Sequence, residues 1–384
     1  MKIYCVANYR LPTIKAHGLQ VVKMCEAFLS IGFDCELVIP KRHEHPNVGN
    51  TNVLEYYDVK VPFKITELKS PDLIDVNLGS FLNKILFWVQ QLFFALRLRK
   101  YLADKEGIIY SRDQFSLILL DPKQHRLYWE AHNFPRNIKS KFYNKILEKI
   151  SGLVVISKGL KDDFANYYNG PITVAPDGVD IEEFDIKVNK KEAREKLGLP
   201  LDKKIIIYTG HLYKWKGADL LLETADSFQE DNLFVFVGGT DLDVRIFKEK
   251  AEKVGLANIL ILGHKHHGEI PLYLKAADCA VLVGKKTERI SDKYTSPLKM
   301  FEYMASGCPI VAQDLPSFRE VLNENNSVIV QAESPQAMYE GIKIVTEDRD
   351  LADKISRKAK EDAQIYTWRK RAEKIRQMFY AARS

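Results

Sequence analysis

Residues 296–311 read SPLKMFEYMASGCPIV, and this stretch predicts a helix followed directly by a strand. The helix is expected from Pro297 to Ser306, because a proline in the first helical turn sacrifices no hydrogen bond. Gly307 then ends the helix, and residues 308–312 form the next strand. The N–H groups at the start of such a helix carry partial positive charge and suit a diphosphate. Glu302, about one and a half turns along, can accept hydrogen bonds from two neighbouring ribose hydroxyls; the alternative is a structural helix with Glu302 on a solvated face.

Short β-branched segments alternate with amphipathic segments along nearly the whole chain. In the first half, the predicted strands are Ile3–Ala7, Glu36–Ile39, Ile108–Ser111, Leu127–Glu130 and Leu153–Ile156. In the second half, they are Ile205–Thr209, Leu233–Val237, Ile259–Leu262, Cys279–Val283, Pro309–Ala312 and Ser327–Val330. Strands separated by helices favour parallel sheets covered on both faces. A segment rich in Pro, Gly and Asp between residues 173 and 200 separates the two series. The predicted fold class is therefore α/β, with two tandem doubly wound, Rossmann-like domains facing a cleft.

Composition excludes several classes of protein. The 384 residues are 46% hydrophobic and 28% charged, unlike a disordered chain, a collagen or a disulfide scaffold. Five scattered cysteines without a CxxC pair predict no zinc site and suit a reducing cytoplasm. The net charge of +6 permits an anionic partner, while no motif favours nucleic acid. We expect no membrane-spanning segment, and the short apolar N-terminus predicts a strand rather than a signal peptide.

Four segments, in order along the chain, resemble the GT-B glycosyltransferases of the large retaining family 4. The stretch at residues 296–311 is similar to the family's nucleotide-sugar signature. Residues 7–38 resemble its first strand, loop and helix, and IIIYTGHLYKWKGADLLLETA at 205–225 resembles the start of its donor domain. VISKGLKDDF followed by VAPDGVDIEEF resembles the family's interdomain connector, with Asp177 in place of the usual Asn. The resemblance implies an acceptor-side domain at residues 1–180, a nucleotide-sugar donor domain at 181–365, and a helix at 366–384 that crosses back to the first domain.

The resemblance also implies roles for residues of the donor domain. Glu302 would hold the ribose, and Lys216 in KWKG would neutralise phosphate charge. The diphosphate would meet the start of the predicted helix, formed by Ser296, Pro297, Leu298 and Lys299. His211 stands where the family usually has Arg, which removes a fixed positive charge. Tyr294 stands where the family often has the first Glu of an E-x7-E pair, so the contact to the donor sugar is unassigned; Asp292 and Glu288 are nearby alternatives.

Four residues outside these segments of the donor domain complete the candidate site. His132, in YWEAHNF after a predicted strand, corresponds to a family histidine near the donor sugar; the alternative is a structural histidine with satisfied hydrogen bonds. Gly18 matches a loop glycine that lets the backbone approach the ligand, or is an ordinary turn glycine. His17 is a weaker candidate. His264 belongs to HKHH, where no Cys or carboxylate at ligand spacing indicates a metal, so a loop near the nucleobase is favoured.

The function implied by the resemblance is that of a retaining glycosyltransferase, specifically a hexosyltransferase. It would move a sugar from a UDP- or GDP-linked donor to a glycan or lipid-linked acceptor, in surface polysaccharide or lipid-linked glycan assembly. The sequence has no DxD motif at a strand end, which suits transfer without a metal or other cofactor. The alternatives are a nucleotide-sugar epimerase or phosphorylase on the same architecture, an NAD-dependent dehydrogenase, and a non-catalytic two-lobed binding protein. A dehydrogenase is disfavoured because no strand is followed by GxGxxG.

The segment from Phe81 to Tyr101 predicts a helix with unusual apolar content. A stripe at helical spacing is expected to face the core and comprises Leu82, Ile85, Leu86, Val89, Leu92, Phe93 and Leu96. Aromatic and basic residues outside this stripe include Phe81, Trp88, Phe94 and Arg97. Such residues suit an interfacial helix, so we hypothesise peripheral attachment to an anionic membrane on its cytoplasmic face. The alternative is a fully buried helix.

Overall fold

The computed structural model of the chain describes residues 1–43, 48–49, 51–73, 80–228 and 231–381. The chain divides into two compact units. The first domain comprises Met1–Ile156, Leu160–Pro176 and Trp368–Ser384, and the second comprises Ser157–Gly159 and Asp177–Thr367. The expected boundaries at residues 180 and 365 lie a few residues from these divisions.

The first domain is built on a parallel sheet. Within the described ranges its seven strands are β1 (Lys2–Val6), β2 (Asp34–Lys41), β3 (Lys64–Lys69), β4 (Gly107–Ser111), β5 (His125–Ala131), β6 (Gly152–Val155) and β7 (Ile172–Val174). The connecting helices are α1 (Ala16–Ser30), α2 (Val53–Tyr56), α3 (Ser80–Leu102), α4 (Gln114–Leu117), α5 (Lys141–Lys149) and α6 (Lys158–Ala165). The strand order is β3-β2-β1-β4-β5-β6-β7, so the order reverses between β1 and β4. Ligands of doubly wound sheets bind beyond the carboxyl ends of strands at such a reversal.

The second domain repeats this design. Its strands among the described residues are β8 (Lys204–Thr209), β9 (Asn232–Val237), β10 (Ile259–Gly263), β11 (Cys279–Leu282), β12 (Ile310–Gln313) and β13 (Val328–Val330). Its helices are α7 (Ile181–Phe184), α8 (Lys190–Leu197), α9 (Leu220–Asp226), α10 (Asp241–Val254), α11 (Ile270–Ala276), α12 (Leu298–Ser306), α13 (Pro316–Arg319), α14 (Pro335–Glu347) and α15 (Arg349–Ala363). The order β10-β9-β8-β11-β12-β13 reverses between β8 and β11. The final helix α16 (Trp368–Ala381) belongs to the first domain, where it packs on α1.

Residue alternation along β8 explains why the second sheet is covered on both faces. Ile205 and Ile207 belong to one buried cluster, which includes residues of α12. Ile206 and Tyr208 belong to another, which includes residues of α9 and α14. Because successive side chains of a strand point to opposite faces, an uninterrupted apolar strand requires packing on both sides. The predicted pair of doubly wound α/β domains is therefore confirmed.

Two strands of the first domain escape the sequence prediction. β3 has the sequence KITELK, in which only Ile65 and Leu68 are apolar, and it pairs with β2 at one edge of the sheet. β7 has three residues, none of which is fully buried, and it pairs with β6 at the opposite edge. Edge strands are half-solvated and short, so they lack the continuous apolar run by which the central strands are recognised.

The prediction that one stripe of α3 faces the core was wrong. Five of the seven stripe residues are exposed: Leu82, Ile85, Leu92, Phe93 and Leu96. Phe94 and Leu98, predicted to lie outside the stripe, are fully buried. Two buried glutamines lie on the side of α3 that faces the core. The side-chain carbonyl of Gln90 accepts from Leu73 N at 2.8 Å, and that of Gln91 accepts from Asn8 Nδ2 at 2.5 Å. Of the helices in the described part of the chain, none is long and apolar enough to cross a membrane.

Candidate functional site

The start of α12 lies in the connection from β11 to β12, beside the reversal of strand order in the second sheet. The helix begins at Leu298, with Pro297 in the extended conformation before it, and ends at Gly307 with φ 71°. The hydroxyl of Ser296 accepts from the backbone N–H of Asp177 at 2.9 Å, which fixes the entry to the helix. The first-turn N–H groups of Leu298 and Lys299 precede the intrahelical ladder, so they can bind an anion.

Glu302 is buried on the inner side of α12, so the solvated-face alternative was wrong; only 8% of the residue is exposed. His267, in the turn between β10 and α11, holds this carboxylate. Its Nε2 lies 3.1 Å from Glu302 Oε1, and its Nδ1 lies 2.8 Å from Glu183 Oε1. Burial lowers the pKa of His267, but the two hydrogen-bonded carboxylates outweigh that effect and raise the pKa to about 10. His267 is therefore a cation at neutral pH and fixes Glu302 as an acceptor, whose other oxygen can receive a ligand hydroxyl.

Lys299 is a buried cation in the first turn of α12. Its Nζ lies 3.6 Å from the centre of the Tyr208 ring, and no described residue accepts a hydrogen bond from it. Burial, together with the nearby charge of Lys216, lowers the pKa of Lys299 well below its usual range. Burial likewise lowers the pKa of Lys216 to about 8. Two neighbouring lysines with lowered pKa values form a site that an anion would neutralise.

Lys216 reaches this position through a tight turn after β8. Lys214–Lys216 form a 3₁₀ turn that Gly217 ends with φ 74°. A side chain at Gly217 would bring its Cβ to 2.8 Å from the carbonyl oxygen of Gly284, at the end of β11. The glycine thus lets the loop after β8 pack closely against the loop after β11. His211, in the same loop, stacks on Tyr213 with ring centres 4.7 Å apart.

The remaining candidates of the second domain occupy different environments. His264 directly follows β10, three residues before His267. Tyr294 ends a π-helical turn at Ile290–Tyr294 and is buried, with the guanidinium of Arg289 lying 5.5 Å from its ring centre. A packed aromatic ring therefore occupies the position where the family often has a carboxylate.

In the first domain, Glu130 at the end of β5 is a fully buried carboxylate that receives several donors. Its Oε1 accepts from Gln20 Nε2 at 2.7 Å and from Arg371 Nη2 at 2.7 Å, and lies 2.5 Å from His132 Nε2. Tyr110 donates to its other oxygen. Burial raises the pKa of Glu130, but Arg371 and His132 outweigh it and hold the pKa well below its usual range. Glu130 therefore stays ionised and orients His132, which is itself part-exposed just beyond β5.

The other two candidates of the first domain lie at the start of α1, after β1. His17 packs against Tyr9 with ring centres 4.4 Å apart. Gly18 lies inside the first turn of the helix rather than in the preceding loop. A Cβ at Gly18 would meet the Tyr57 hydroxyl at 2.1 Å. The glycine is therefore required by packing against Tyr57.

The described residues also contain a thiol cluster that the scattered sequence positions did not indicate. Cys5, Cys25 and Cys35, from β1, α1 and β2, are buried and place their sulfur atoms within 4.8 Å of one another. Thiols suit soft metals, whereas the divalent cations that accompany nucleotides prefer oxygen ligands.

Comparisons with known proteins concern the second half of the chain and the overall fold. The family model described as "Glycosyl transferases group 1" matches residues 189–362, which contain Lys216, His267 and Glu302. The fold resembles that of sucrose-phosphate synthase from Thermosynechococcus elongatus, with a TM-score of 0.77 and 17% identity over 99% of this chain and 98% of that chain. It also resembles Anabaena HepE in complex with UDP and glucose, with a TM-score of 0.77 and 15% identity over 99% of this chain and 100% of that chain. Residues 189–362 are therefore similar to a glycosyltransferase group 1 domain, and the fold of the chain is GT-B.

Sequence relatives point the same way over a shorter stretch. A lipopolysaccharide core biosynthesis mannosyltransferase of Rhizobium meliloti is 28% identical over 218 residues, which are 54% of this chain and 59% of that protein. The chain spans about half the length of the curated relatives that it matches.

The sequence analysis did not identify His267 as the partner of Glu302 or Arg371 as the partner of Glu130. His267 belongs to the HKHH cluster, but nothing in the sequence distinguishes it from His264. Arg371 lies 241 residues from Glu130 along the chain, so its pairing with that carboxylate depends on the return of α16 to the first domain. The one local sequence signal was Glu130, which lies two residues before His132 in EAH and is its hydrogen-bond partner.

Glu130→Gln is expected to lower the free energy of unfolding by about 3–5 kcal/mol, because it removes the ionised partner of the buried Arg371 guanidinium. Urea unfolding of the variant and of Glu148→Gln, an exposed glutamate on α5, measures the effect. The double variant Glu130→Gln/Arg371→Met should lose less than the sum of the two single variants. Wild-type stability of Glu130→Gln would contradict the assigned role.

Proposed function

We propose that this chain is a retaining glycosyltransferase that moves a hexosyl group from a UDP- or GDP-linked donor to a hydroxyl acceptor. The observation that carries the proposal is the pair Lys216 and Lys299, two neighbouring cations of lowered pKa beside the N-terminus of α12. A buried ammonium group without a hydrogen-bond acceptor costs free energy, which a bound diphosphate would recover. Glu302 lies in the same helix, where it can accept hydrogen bonds from ribose hydroxyls.

The proposed chemistry follows from this charge distribution. The bond between the anomeric carbon and the diphosphate oxygen breaks, and the acceptor oxygen bonds to the same face of that carbon. Because the new bond forms on the face that the diphosphate leaves, the anomeric configuration is retained. The proton of the acceptor hydroxyl passes to the departing phosphate oxygen. Lys216, Lys299 and the start of α12 stabilise the negative charge of the leaving diphosphate, which is the role that a divalent cation plays in other transferases. His132, oriented by Glu130, donates a hydrogen bond to the sugar.

The acceptor is proposed to be a glycan or lipid-linked glycan, assembled at the cytoplasmic face of a membrane. This part of the proposal is supported by the names of relatives, one of which acts in lipopolysaccharide core biosynthesis. The UDP and glucose bound by Anabaena HepE support a nucleotide-sugar donor.

The direct test mixes the purified chain with UDP- and GDP-sugars and an acceptor, and measures nucleotide release. We expect nucleotide release with one of the donors, activity that resists EDTA, and a product whose anomeric configuration, measured by NMR, matches that of the donor.

Glu302→Gln should weaken nucleotide binding roughly ten- to hundred-fold, since hydrogen bonds to a charged group contribute about 1.5–3 kcal/mol. Glu347→Gln, at the exposed end of α14, is the matched control and should bind normally. Nucleotide binding without turnover would favour a binding protein, and epimerised donor would favour an epimerase.

His132→Ala should lower kcat at least about ten-fold while changing the donor KM much less, because the imidazole is assigned to the sugar and not to the nucleotide. Steady-state kinetics with saturating acceptor separates the two parameters, and His43→Ala, at an exposed position of the same domain, serves as the control. The assignment fails if the variant loses nucleotide affinity but turns over normally at saturation.

Lys299→Met should leave the unfolding temperature of the ligand-free protein equal or higher, because it replaces a buried cation without an acceptor by an apolar side chain. The same variant should bind UDP or GDP at least about ten-fold more weakly, since a charge-assisted contact to phosphate is lost. Thermal unfolding and calorimetry measure both effects, and Lys343→Met, an exposed lysine on α14, is the control.

The lysine pair also predicts the pH dependence of binding. Lys216, with a pKa of about 8, is partly neutral at pH 8, and a bound diphosphate should raise its pKa. Binding at that pH should therefore take up protons, and nucleotide affinity should fall as the pH rises above about 8. Calorimetry in buffers of different ionisation enthalpy detects the uptake. Equal apparent enthalpies in all buffers would contradict the role of the pair.

A further inference from the structure

Helix α3 presents an apolar face to solvent. Phe81, Ile85, Trp88, Leu92 and Leu96 recur every three or four residues and therefore lie along one side of the helix. We refer to these five residues as the exposed stripe. Their exposed fractions run from 44% for Ile85 to 73% for Phe81. Helix α3 packs on α4 and β3, and its residues Phe94 and Leu98, outside the exposed stripe, are fully buried. A contiguous row of large apolar side chains on a protein surface marks a binding surface.

The exposed stripe continues onto a second element. Trp88 packs edge-on against Phe115, with ring centres 4.8 Å apart, and Phe115 packs on Phe142 of α5 at 4.9 Å. These ring contacts make one aromatic surface that runs from α3 to the start of α5.

Basic residues surround this surface. The sequence of α3 contains Lys84, Arg97, Arg99 and Lys100 and no Asp or Glu, and the side chains of these four residues are exposed. Residues 131–147, which lead into α5, contain four more exposed basic residues and again no acidic one: Arg136, Lys139, Lys141 and Lys145. The exposed charges on α3 and in residues 131–147 are therefore all positive, and Glu148 of α5 is the first exposed acidic residue after them.

We propose that the exposed stripe and its basic surroundings form a surface that binds anionic lipid headgroups, with α3 lying in the plane of the membrane interface. An apolar face takes up acyl-chain contacts, and flanking Lys and Arg residues pair with lipid phosphates. A second copy of the chain is a poorer occupant. A two-fold contact through this face would bring two sets of basic residues together without acidic partners. The inference deepens the proposed function, because it brings the chain to the phase in which a lipid-linked acceptor resides.

The test is co-sedimentation of the full chain with vesicles of phosphatidylcholine alone or mixed with phosphatidylglycerol, at low and high salt. We expect binding to the anionic vesicles at low salt and at least about ten-fold weaker binding at high salt or to neutral vesicles. Trp88→Ser/Leu92→Ser should weaken binding at least about ten-fold. Leu242→Ser is the matched control, because Leu242 on α10 is 55% exposed and Leu92 is 52% exposed. Lys84→Ser/Arg99→Ser should weaken binding as well, whereas Lys248→Ser, on α10, should not.

Three outcomes would overturn the inference: no binding to anionic vesicles at low salt, equal binding by the stripe variant and the control, or a dimer in solution that the stripe variant abolishes. Circular dichroism and unfolding of the variants confirm that they are folded, as expected for exposed positions. Nucleotide release with a water-soluble acceptor is measured in parallel. Vesicle binding without any turnover would reject the proposed function and leave the surface standing, while turnover without vesicle binding would do the reverse.

Discussion

The buried carboxylate of Glu130 is the interaction on which the first domain depends. Gln20 of α1, Tyr110 of β4 and Arg371 of α16 all donate to it, so one ionised group joins three elements that are distant in sequence. A buried carboxylate is stable only when hydrogen-bond donors compensate for its loss of water. Removal of one donor leaves part of this desolvation penalty uncompensated. His132 shares the same oxygen and emerges toward solvent from β5. The orientation of this candidate residue is therefore tied to the correct docking of the last helix of the chain.

The second domain treats charge in the opposite way. Glu302 is paired in advance with His267, which Glu183 supports from the other side of the ring. Lys299 faces an aromatic ring, and burial lowers the pKa values of Lys299 and Lys216, with the charge of Lys216 lowering that of Lys299 further. Glu302 thus has its charged partner before a ligand arrives, whereas Lys216 and Lys299 would gain one only when an anion binds. This division suits the ribose and the adjoining diphosphate of the nucleotide-linked donor that we propose.

Local sequence patterns were sufficient for much of the fold. The alternation of apolar strands and helices predicted both doubly wound domains, and the Pro and Gly at the two ends of α12 predicted its bounds within one residue. Edge strands were missed because a half-solvated strand such as β3 has no continuous apolar run. His267 and Arg371 were missed for a different reason, since ion pairs between distant elements have no periodic signature. Glu302 was predicted from the sequence of residues 296–311, but its burial and its contact with His267 depend on the tertiary structure.

Helix α3 shows where pattern reasoning fails in principle. The helix is apolar on more than one side, so its hydrophobic periodicity does not determine which side faces the core. Gln90 and Gln91 lie on the inward side, where their side-chain carbonyl oxygens accept hydrogen bonds from Leu73 N and Asn8 Nδ2. A buried carbonyl oxygen that accepts a hydrogen bond costs much less than one without a donor, so these two hydrogen bonds favour the inward position of Gln90 and Gln91. The more aromatic side is consequently directed outward, next to lysines and arginines. An exposed side chain such as Trp88 beside basic residues is the arrangement on which the proposed binding of anionic lipid headgroups rests.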